Sequence, residues 1–316
     1  MFDVLSIILT VLGLCAFETI SSLDNAVINA DVLTTMSERA RRWFLIWGLL
    51  LAVFLIRGLL PWLIIWVTNP SLGFIGSFTA MFSNDQTVID AVEQSSPILL
   101  IGGGTFLLFL FLHWLFQEPK AFGLRGERFF ARQSVWFYAS VSIVLTSIVW
   151  FALQQNPMMA FGAVVGSTAF FITHGFKQNA EHAEQHLLQK GSMSNDISKI
   201  LYLEVIDATF SIDGVLGAFA FTLSVPLIII GNGLGAVVVR ELTVRNVTSI
   251  KKYMFLKNGA MYSILFLGII MILDSFGFDI PSYLSPTVTF LVIGYFFWKS
   301  RKQIQKEKTR EVKGKA

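Results

Sequence analysis

The sequence has few charged residues and almost no cysteine. Only 14% of its 316 residues are charged, whereas an ordinary soluble domain carries about 25%, and this shortage argues against a soluble globular protein. Cys15 is the single cysteine, which excludes an internal disulfide framework and any multi-cysteine zinc or iron–sulfur site. No Ser/His/Asp or Cys/His arrangement typical of a nucleophilic catalyst can be recognised in the sequence.

Apolar residues are present in excess. They make up 54% of the chain, with 30 Phe and 8 Trp, and the mean hydropathy is +0.65. A helix crosses a bilayer with about 20 apolar residues, and nine stretches approach or exceed that length. The predicted spans are 4–32, 43–67, 97–116, 134–153, 158–173, 200–223, 225–239, 257–273 and 284–298. The sequence therefore predicts an all-α polytopic protein of about nine transmembrane helices, with the lipid bilayer as its partner and no nucleic-acid partner.

The basic residues predict an orientation in the membrane. They follow the first, third, fifth, seventh and ninth spans, and Arg57 is the single Lys or Arg of the 24 that lies elsewhere. Because cytoplasmic loops carry the excess of Lys and Arg, we expect a multi-pass protein of the cytoplasmic (inner) membrane, with its N-terminus outside and its C-terminus in the cytoplasm. The first span has no basic leading segment and contains acids, which favours a retained helix over a signal peptide.

Carboxylates within the spans are concentrated in two short motifs. Each motif has an acid, Ser four residues later, Asp six residues later, and then Asn or Gly. The motifs consist of Glu18, Ser22, Asp24 and Asn25 in the first span and Asp207, Ser211, Asp213 and Gly214 in the sixth. A charged carboxylate inside a membrane costs about 2.5–3.5 kcal/mol on insertion scales, so both motifs are candidates for function.

The two motifs are predicted to cross the membrane in opposite directions, because five spans separate their starts. Inverted repeats with interrupted helices that meet near the midplane are typical of secondary transporters. The sequence therefore predicts a first repeat, two connecting spans, a second repeat with a final span, and a basic tail. Their bounds are 1–116, 117–199, 200–298 and 299–316.

Helical geometry predicts that each motif is broken. Most polar residues share one face of an ideal helix: Glu18, Ser21, Ser22, Asn25 and Asn29 in the first span, and Glu204, Asp207 and Ser211 in the sixth. Asp24 and Asp213 fall outside these faces. We therefore expect the backbone to unwind around Ser22–Asn25 and Ser211–Gly214, which is tolerated only where freed carbonyls line a cavity or bind an ion.

The acids of the two spans need positive charge. There are five of them, and Arg57 is the only basic residue within a predicted span. The acids are Glu18, Asp24, Glu204, Asp207 and Asp213. Oxygen donors dominate both motifs and His is absent from them, which favours a hard divalent ion such as Mn²⁺, Ca²⁺ or Mg²⁺ over Cu or Zn. We expect this ion to be a substrate, and we expect no prosthetic group.

At these residues the sequence resembles the TerC-like integral membrane proteins of the LysE transporter superfamily. The matching pieces are Glu18-x5-Asp24-Asn25 and Glu204-x2-Asp207-x5-Asp213-Gly214, and the segment FFITHGFKQ at 170–178 resembles a branch with a longer central section. The resemblance implies export of a metal ion, Mn²⁺ first and Ca²⁺ second. It also implies the metal ligands: Glu18, Asp24, Asn25, Asp207 and Asp213.

Further residues are candidates for proton-carrying or supporting roles: Glu204, Ser22, Ser211, Asn29 and Arg57. Glu204 is the predicted proton carrier, because repulsion from Asp207 helps it to hold a proton. Arg57 either pairs with the acids of an empty site or forms a structural pair. His182 and His186 have a spacing that can bind metal on a cytoplasmic helix, although such pairs are also common on solvated helices.

The remaining polar and small residues have simpler interpretations. His113, near the cytoplasmic end of the third span, is interpreted as an interfacial residue. The runs Gly102–Gly104 and Gly231–Gly235 lie within spans, where small residues permit close helix packing. No strand–turn–helix context surrounds the second run, which argues against nucleotide binding.

Two other classes of function stay open at this point. Intramembrane aspartates also form protease dyads, so an intramembrane aspartyl-type enzyme is one alternative, although the accompanying Ser, Asn and second acid fit cation binding better. A non-transporting membrane partner protein is the other. The identity of the ion, the direction and coupling of transport and the oligomeric state do not follow from the sequence.

Overall fold

The computed structural model describes residues 4–22, 26, 32–48, 51, 57–68, 70–80, 82, 86–120, 123–190, 196–250 and 253–315. These residues form helices and the turns that connect them, and no strand occurs among them. The prediction of an all-α protein is confirmed.

The α-helices are numbered in chain order. They are α1 (Val4–Ser21), α2 (Glu38–Trp43), α3 (Arg57–Thr68), α4 (Gly73–Ala80), α5 (Gln86–Gln117), α6 (Arg125–Ala131), α7 (Phe137–Gln155), α8 (Pro157–Lys190), α9 (Asp196–Ala218), α10 (Val225–Ile250), α11 (Leu256–Ser275) and α12 (Leu284–Lys315). A π-helical turn, Phe44–Gly48, follows α2 directly, and 3₁₀ turns occur at Pro70–Leu72 and Ser134–Trp136.

Local sequence signals explain several helix ends. Asn156 separates α7 from α8, and its Oδ1 accepts a hydrogen bond from the Met158 N–H at 2.9 Å. Pro157 then begins α8, where its missing N–H costs nothing and its fixed φ fits the first turn. Gly277 follows α11 with a φ of +85°, the left-handed conformation that commonly ends a helix at glycine.

Among the described residues, six helical segments are long and apolar enough to cross a membrane. They are Val4–Ser21, Gln94–Gln117, Ser134–Gln155, Pro157–Gln178, Val225–Leu242 and Leu256–Ser275. Large apolar side chains such as Trp150, Phe151 and Phe161 are exposed on α7 and α8, as expected of surfaces that face lipid. The chain is therefore a multi-pass membrane protein. The predicted spans 200–223 and 284–298 are not among these six segments of the described residues, and the predicted span 43–67 lies partly outside the described residues.

Glycines bring the long helices into close contact. α5 packs against α8 and α11, and α1 packs against α10 and α12. A Cβ on Gly102 of α5 would lie 2.9 Å from the Gly162 carbonyl of α8, and a Cβ on Gly104 would lie equally close to the Gly268 carbonyl of α11. Gly231 of α10 packs in the same way against Leu14 of α1. The interpretation of both glycine runs as packing surfaces is confirmed.

The predicted break in the second motif is wrong. Helix α9 continues from Asp196 to Ala218 through Ser211–Gly214. The Ser211 hydroxyl donates to the Asp207 carbonyl at 2.6 Å. Asp213 lies on a different face of α9, where it forms an ion pair with Lys177 of α8. Because both polar groups are accommodated by a regular helix, no unwinding is needed.

In the first motif, the described residues also follow a helical hydrogen-bond pattern. The Ser22 N–H donates to the Glu18 carbonyl at 3.1 Å, and the Ala26 N–H donates to the Ser22 carbonyl at 2.9 Å. The residues between Ser22 and Ala26, which include Asp24 and Asn25, lie outside the described residues. The predicted break there stays a prediction.

Candidate cation site

Glu18 lies at the meeting point of three helices. Its side chain extends from α1 and is 1% exposed. Positions for a Cβ on Gly214 of α9 and on Gly235 of α10 lie 2.5 Å from Glu18 Oε2 and 2.6 Å from Glu18 Cβ, respectively. Since neither glycine has a side chain, the carboxylate fits between α9 and α10. The hydroxyl of Ser22, which directly follows α1, donates to Glu18 Oε1 at 2.6 Å.

Asp213 lies next to this position on α9. The residue is 8% exposed, and it is close enough to Glu18 for the two carboxylates to repel each other. Its Oδ2 forms an ion pair with the ammonium group of Lys177 on α8. Within the described part of the chain, its other oxygen, Oδ1, is buried without a hydrogen-bond partner. The structure thus brings together one acid from each predicted motif.

The position of Lys177 changes the balance between acidic and basic residues that the sequence predicts for the membrane-spanning segments. Its position after the fifth apolar stretch predicted a residue of a cytoplasmic loop. In the structure α8 continues to Lys190, and the Lys177 side chain is only 14% exposed. Arg57 is therefore not the only basic residue that can compensate the acids. The signal in the sequence was the helical spacing of Lys177 from Phe170 and His174, which places all three near one face.

Asn232 is a second residue that the sequence analysis did not assign to the site. It lies between the two packing glycines of α10, is fully buried, and donates from Nδ2 to the Gly214 carbonyl at 3.4 Å. It thereby connects α10 to the residue that follows Asp213. The signal in the sequence that could have identified Asn232 is its polar amide within an apolar run.

Glu204 and Asp207 form a separate acidic group on α9. Arg240 of α10 lies within electrostatic range of both and donates to the Phe44 carbonyl at 3.0 Å. Glu204 packs against Gly48 of the π-helical turn, and no hydrogen bond from the described residues reaches its carboxylate oxygens. On a continuous helix, Asp207 and Asp213 are about 9 Å apart along the axis and on different faces.

Other predicted site residues lie outside what the structure describes. Asp24, Asn25 and Asn29 are among them. The backbone of Arg57 begins α3 and those of His182 and His186 belong to α8, but their side chains are not described. Among the described residues, no three His, Cys, Asp or Glu side chains lie together closely enough to hold a metal ion.

His113 packs inside the protein near the cation site. Its ring centroid is 3.9 Å from that of His174 on α8, and it also contacts Phe137 edge-on at 5.5 Å. Its ring is thus in contact with side chains of α7 and α8. His174 precedes Lys177 by about one turn of α8, and both histidines lie within electrostatic range of Lys177.

These features define a multi-pass, all-helical membrane protein with buried acids on packed helices. Residues 23–307 match the family described as "Protein of unknown function (DUF475)". Because this match covers most of the chain, the protein belongs to that family. No curated protein and no solved structure matches the chain.

Proposed function

We propose that the protein is a secondary transporter that exports a divalent metal cation, with Mn²⁺ as the first candidate and Ca²⁺ as the second. This follows the resemblance to TerC-like members of the LysE superfamily. The proposed setting is the cytoplasmic membrane, with about nine spans, an inverted repeat, an outside N-terminus and a cytoplasmic C-terminus. The observation that carries the proposal is the meeting of Glu18 and Asp213, one acid from each motif.

The energetic argument concerns the cost of these two acids. Two charged carboxylates inside a membrane cost about 5–7 kcal/mol on insertion scales. Lys177 brings one positive charge to Asp213, whereas the two acids carry two negative charges when ionised. A transported divalent cation that binds between the helices would balance both acids, and this balance of charge is the functional reason that we propose for them.

The available donors suit a hard cation. Glu18 and Asp213 supply two carboxylates, and Ser22 and Asn232 lie close to them with a hydroxyl and an amide oxygen. Mn²⁺, Mg²⁺ and Ca²⁺ bind about six or more oxygen ligands. We propose that Asp24, Asn25 and Asp207 complete the set when α1 and α9 rearrange during alternating access.

Exchange for protons is part of the proposal. Glu204 lies beside Asp207 and Arg240 and is proposed to carry the proton, because like-charge repulsion from Asp207 favours its protonated form. An imposed pH gradient should then drive Mn²⁺ movement through the reconstituted protein. If the rate is the same with and without the gradient, the coupling to protons is wrong.

The deciding experiment is Mn²⁺ flux in liposomes that contain the purified protein, with Ca²⁺, Mg²⁺ and Zn²⁺ as competitors. Glu18→Gln and Asp213→Asn each remove one charge with little change of volume. We expect each variant to lose at least about 90% of the flux, because both carboxylates hold the same ion.

Glu127→Gln is the matched control. Glu127 is as buried as Glu18, but its carboxylate accepts hydrogen bonds from the Asn258 amide of α11 and from the Leu124 N–H. This variant should keep wild-type flux if it folds. Absence of flux for every ion from folded wild-type protein would overturn the proposal and favour an intramembrane enzyme or a non-transporting partner.

A further inference from the structure

The ion pair between Lys177 and Asp213 joins two helices inside the protein. Lys177 belongs to α8 and Asp213 to α9, and their side chains are 14% and 12% exposed. In the sequence, Lys177 lies near the end of the apolar part of α8, before the polar residues Asn179 and Glu181. The ammonium group thus occupies a buried position beside a carboxylate that the proposed function assigns to the transported cation.

We propose that Lys177 is a tethered counter-ion: its ammonium group and the transported cation occupy the position beside Asp213 in turn. This inference rests on the proposed function and names the group that holds the site when no ion is bound. Lys177 is a positioning residue here, since it acts on the ion through Asp213 and does not bind the ion itself.

The geometry around Asp213 favours exchange over a permanent structural pair. A buried ion pair is stable when the remaining lone pairs also find partners. Asp213 Oδ1 is buried and has none among the described residues, and the Glu18 carboxylate lies against the adjacent Gly214. The ammonium group therefore engages part of an acceptor set that a multivalent cation could engage more fully.

The charge of the site also favours exchange. If a divalent ion enters while Lys177 stays in place, three positive charges meet within a few ångströms in a medium of low dielectric constant, which is strongly unfavourable. If Lys177 leaves as the ion enters, the net charge of the site changes by only one unit. With Glu18 and Asp213 both ionised, exchange therefore leaves the loaded site neutral, whereas a retained Lys177 would leave it with a net positive charge.

Lys177 has a route out of the site. A lysine side chain is a compact charge on a flexible four-carbon stem, and such stems lie along apolar surfaces while the ammonium group reaches water. Because the residues that follow Gln178 in the sequence include the polar residues Asn179 and Glu181, the ammonium group can withdraw towards that end without movement of α8. No comparable freedom exists for Asp213, whose backbone lies within the packed helix α9.

The test is Mn²⁺ binding by calorimetry and by thermal stabilisation in detergent, on wild type, Lys177→Gln and Lys177→Arg. Removal of the competing charge in Lys177→Gln should tighten Mn²⁺ binding by about tenfold or more, equivalent to about 1.4 kcal/mol. The melting temperature without Mn²⁺ should fall, and the stabilisation by Mn²⁺ should increase. In the flux assay, the KM should fall together with the maximal rate, because the ion is no longer displaced.

Lys177→Arg keeps a positive charge beside Asp213, so its affinity for Mn²⁺ should be equal to that of wild type or lower. Lys257→Gln is the matched control, since Lys257 forms an ion pair with Glu118 at 2.6 Å away from Asp213, and it should leave Mn²⁺ binding unchanged. If Lys177→Gln fails to fold, tighter Mn²⁺ binding by Lys177→Arg than by wild type would overturn the inference.

The possible outcomes separate this inference from the proposed function. If wild type binds Mn²⁺ and Lys177→Gln binds it equally or more weakly, Lys177 is a structural partner and the inference is wrong, while the transporter proposal stands. If neither wild type nor Lys177→Gln binds or moves any divalent cation, both are wrong.

Discussion

Substitution of Gly214 by alanine tests the placement of Glu18 directly. A Cβ at this position would lie 2.5 Å from Glu18 Oε2, whereas ordinary contacts begin at 3.4 Å, so the carboxylate must move by about 1 Å. The Glu18 Cβ is already packed against Gly235, so movement of the whole side chain towards α10 is restricted. A displacement of 1 Å in a reactive or binding group can reduce function by about 100-fold.

The effect of this substitution on stability is expected to be small. Alanine is better than glycine in a helix interior by about 1 kcal/mol, while weakening the bond from Ser22 to the charged Glu18 costs about 1.5–3 kcal/mol. The net loss of about 1 kcal/mol should lower the melting temperature by a few degrees. Function should therefore fall much more than stability.

The assay is Mn²⁺ flux in liposomes beside the melting temperature in detergent. Gly214→Ala should reduce flux by about 10- to 100-fold while it remains folded. Gly294→Ala is the matched control, because it also lies in a long helix but a Cβ there meets nothing within 4 Å. Wild-type flux in Gly214→Ala would refute the conclusion that the Glu18 carboxylate must remain at the face of α9.

Two further predictions concern single side chains. Ser22→Ala removes the 2.6 Å hydrogen bond to Glu18 Oε1 and should raise the KM for Mn²⁺ with little change in melting temperature. An unchanged KM would show that Ser22 does not support the ion site. Burial lowers the pKa of Lys120 to about 8 from its ordinary 10.5. In that window the unfolded chain binds more protons than the folded one, so this residue's contribution to stability rises as pH increases from about 8 to 10.5. Melting temperatures of wild type and Lys120→Met measured across this range should show the rise in wild type alone.

The helical architecture could be predicted from the sequence because it depends on local apolar length. Six of the predicted spans correspond to helices with the composition of membrane spans. The segment 200–223 forms the helix α9 up to Ala218, but its three acids, Glu204, Asp207 and Asp213, keep its hydropathy below that of the others. Composition alone cannot distinguish a functional span from a polar helix inside the protein.

The broken helix was predicted from an incomplete argument. Asp213 lies away from the face that contains Glu204 and Asp207, and this spacing alone is the basis for predicting that the backbone unwinds there. In the structure α9 is a regular helix, and a different basic residue lies near each of its acidic faces. Lys177 lies near Asp213, and Arg240 lies near Asp207. Partners that come from distant helices cannot be derived from spacing within one helix.

The sequence analysis assigns Lys177 and Arg240 to cytoplasmic loops for the same reason. Lys177 and Arg240 each follow an apolar stretch in the sequence, and the rule that assigns positive charges to cytoplasmic loops treats both as loop residues. In the structure α8 and α10 continue as helices past these stretches, to Lys190 and Ile250. Their basic side chains lie beside the acids of α9 instead of extending into a loop.

This arrangement changes what the acids of α9 require. Asp213 is compensated from α8 and the pair of Glu204 and Asp207 from α10, so each acidic position is associated with one positive charge from a neighbouring helix. These internal cations offset part of the negative charge of α9 when no ion is bound, and under the proposed function an external cation would replace them. Two partly compensated acidic groups about 9 Å or more apart along one helix therefore suit the proposed transporter, which must be stable with its ion site both empty and loaded.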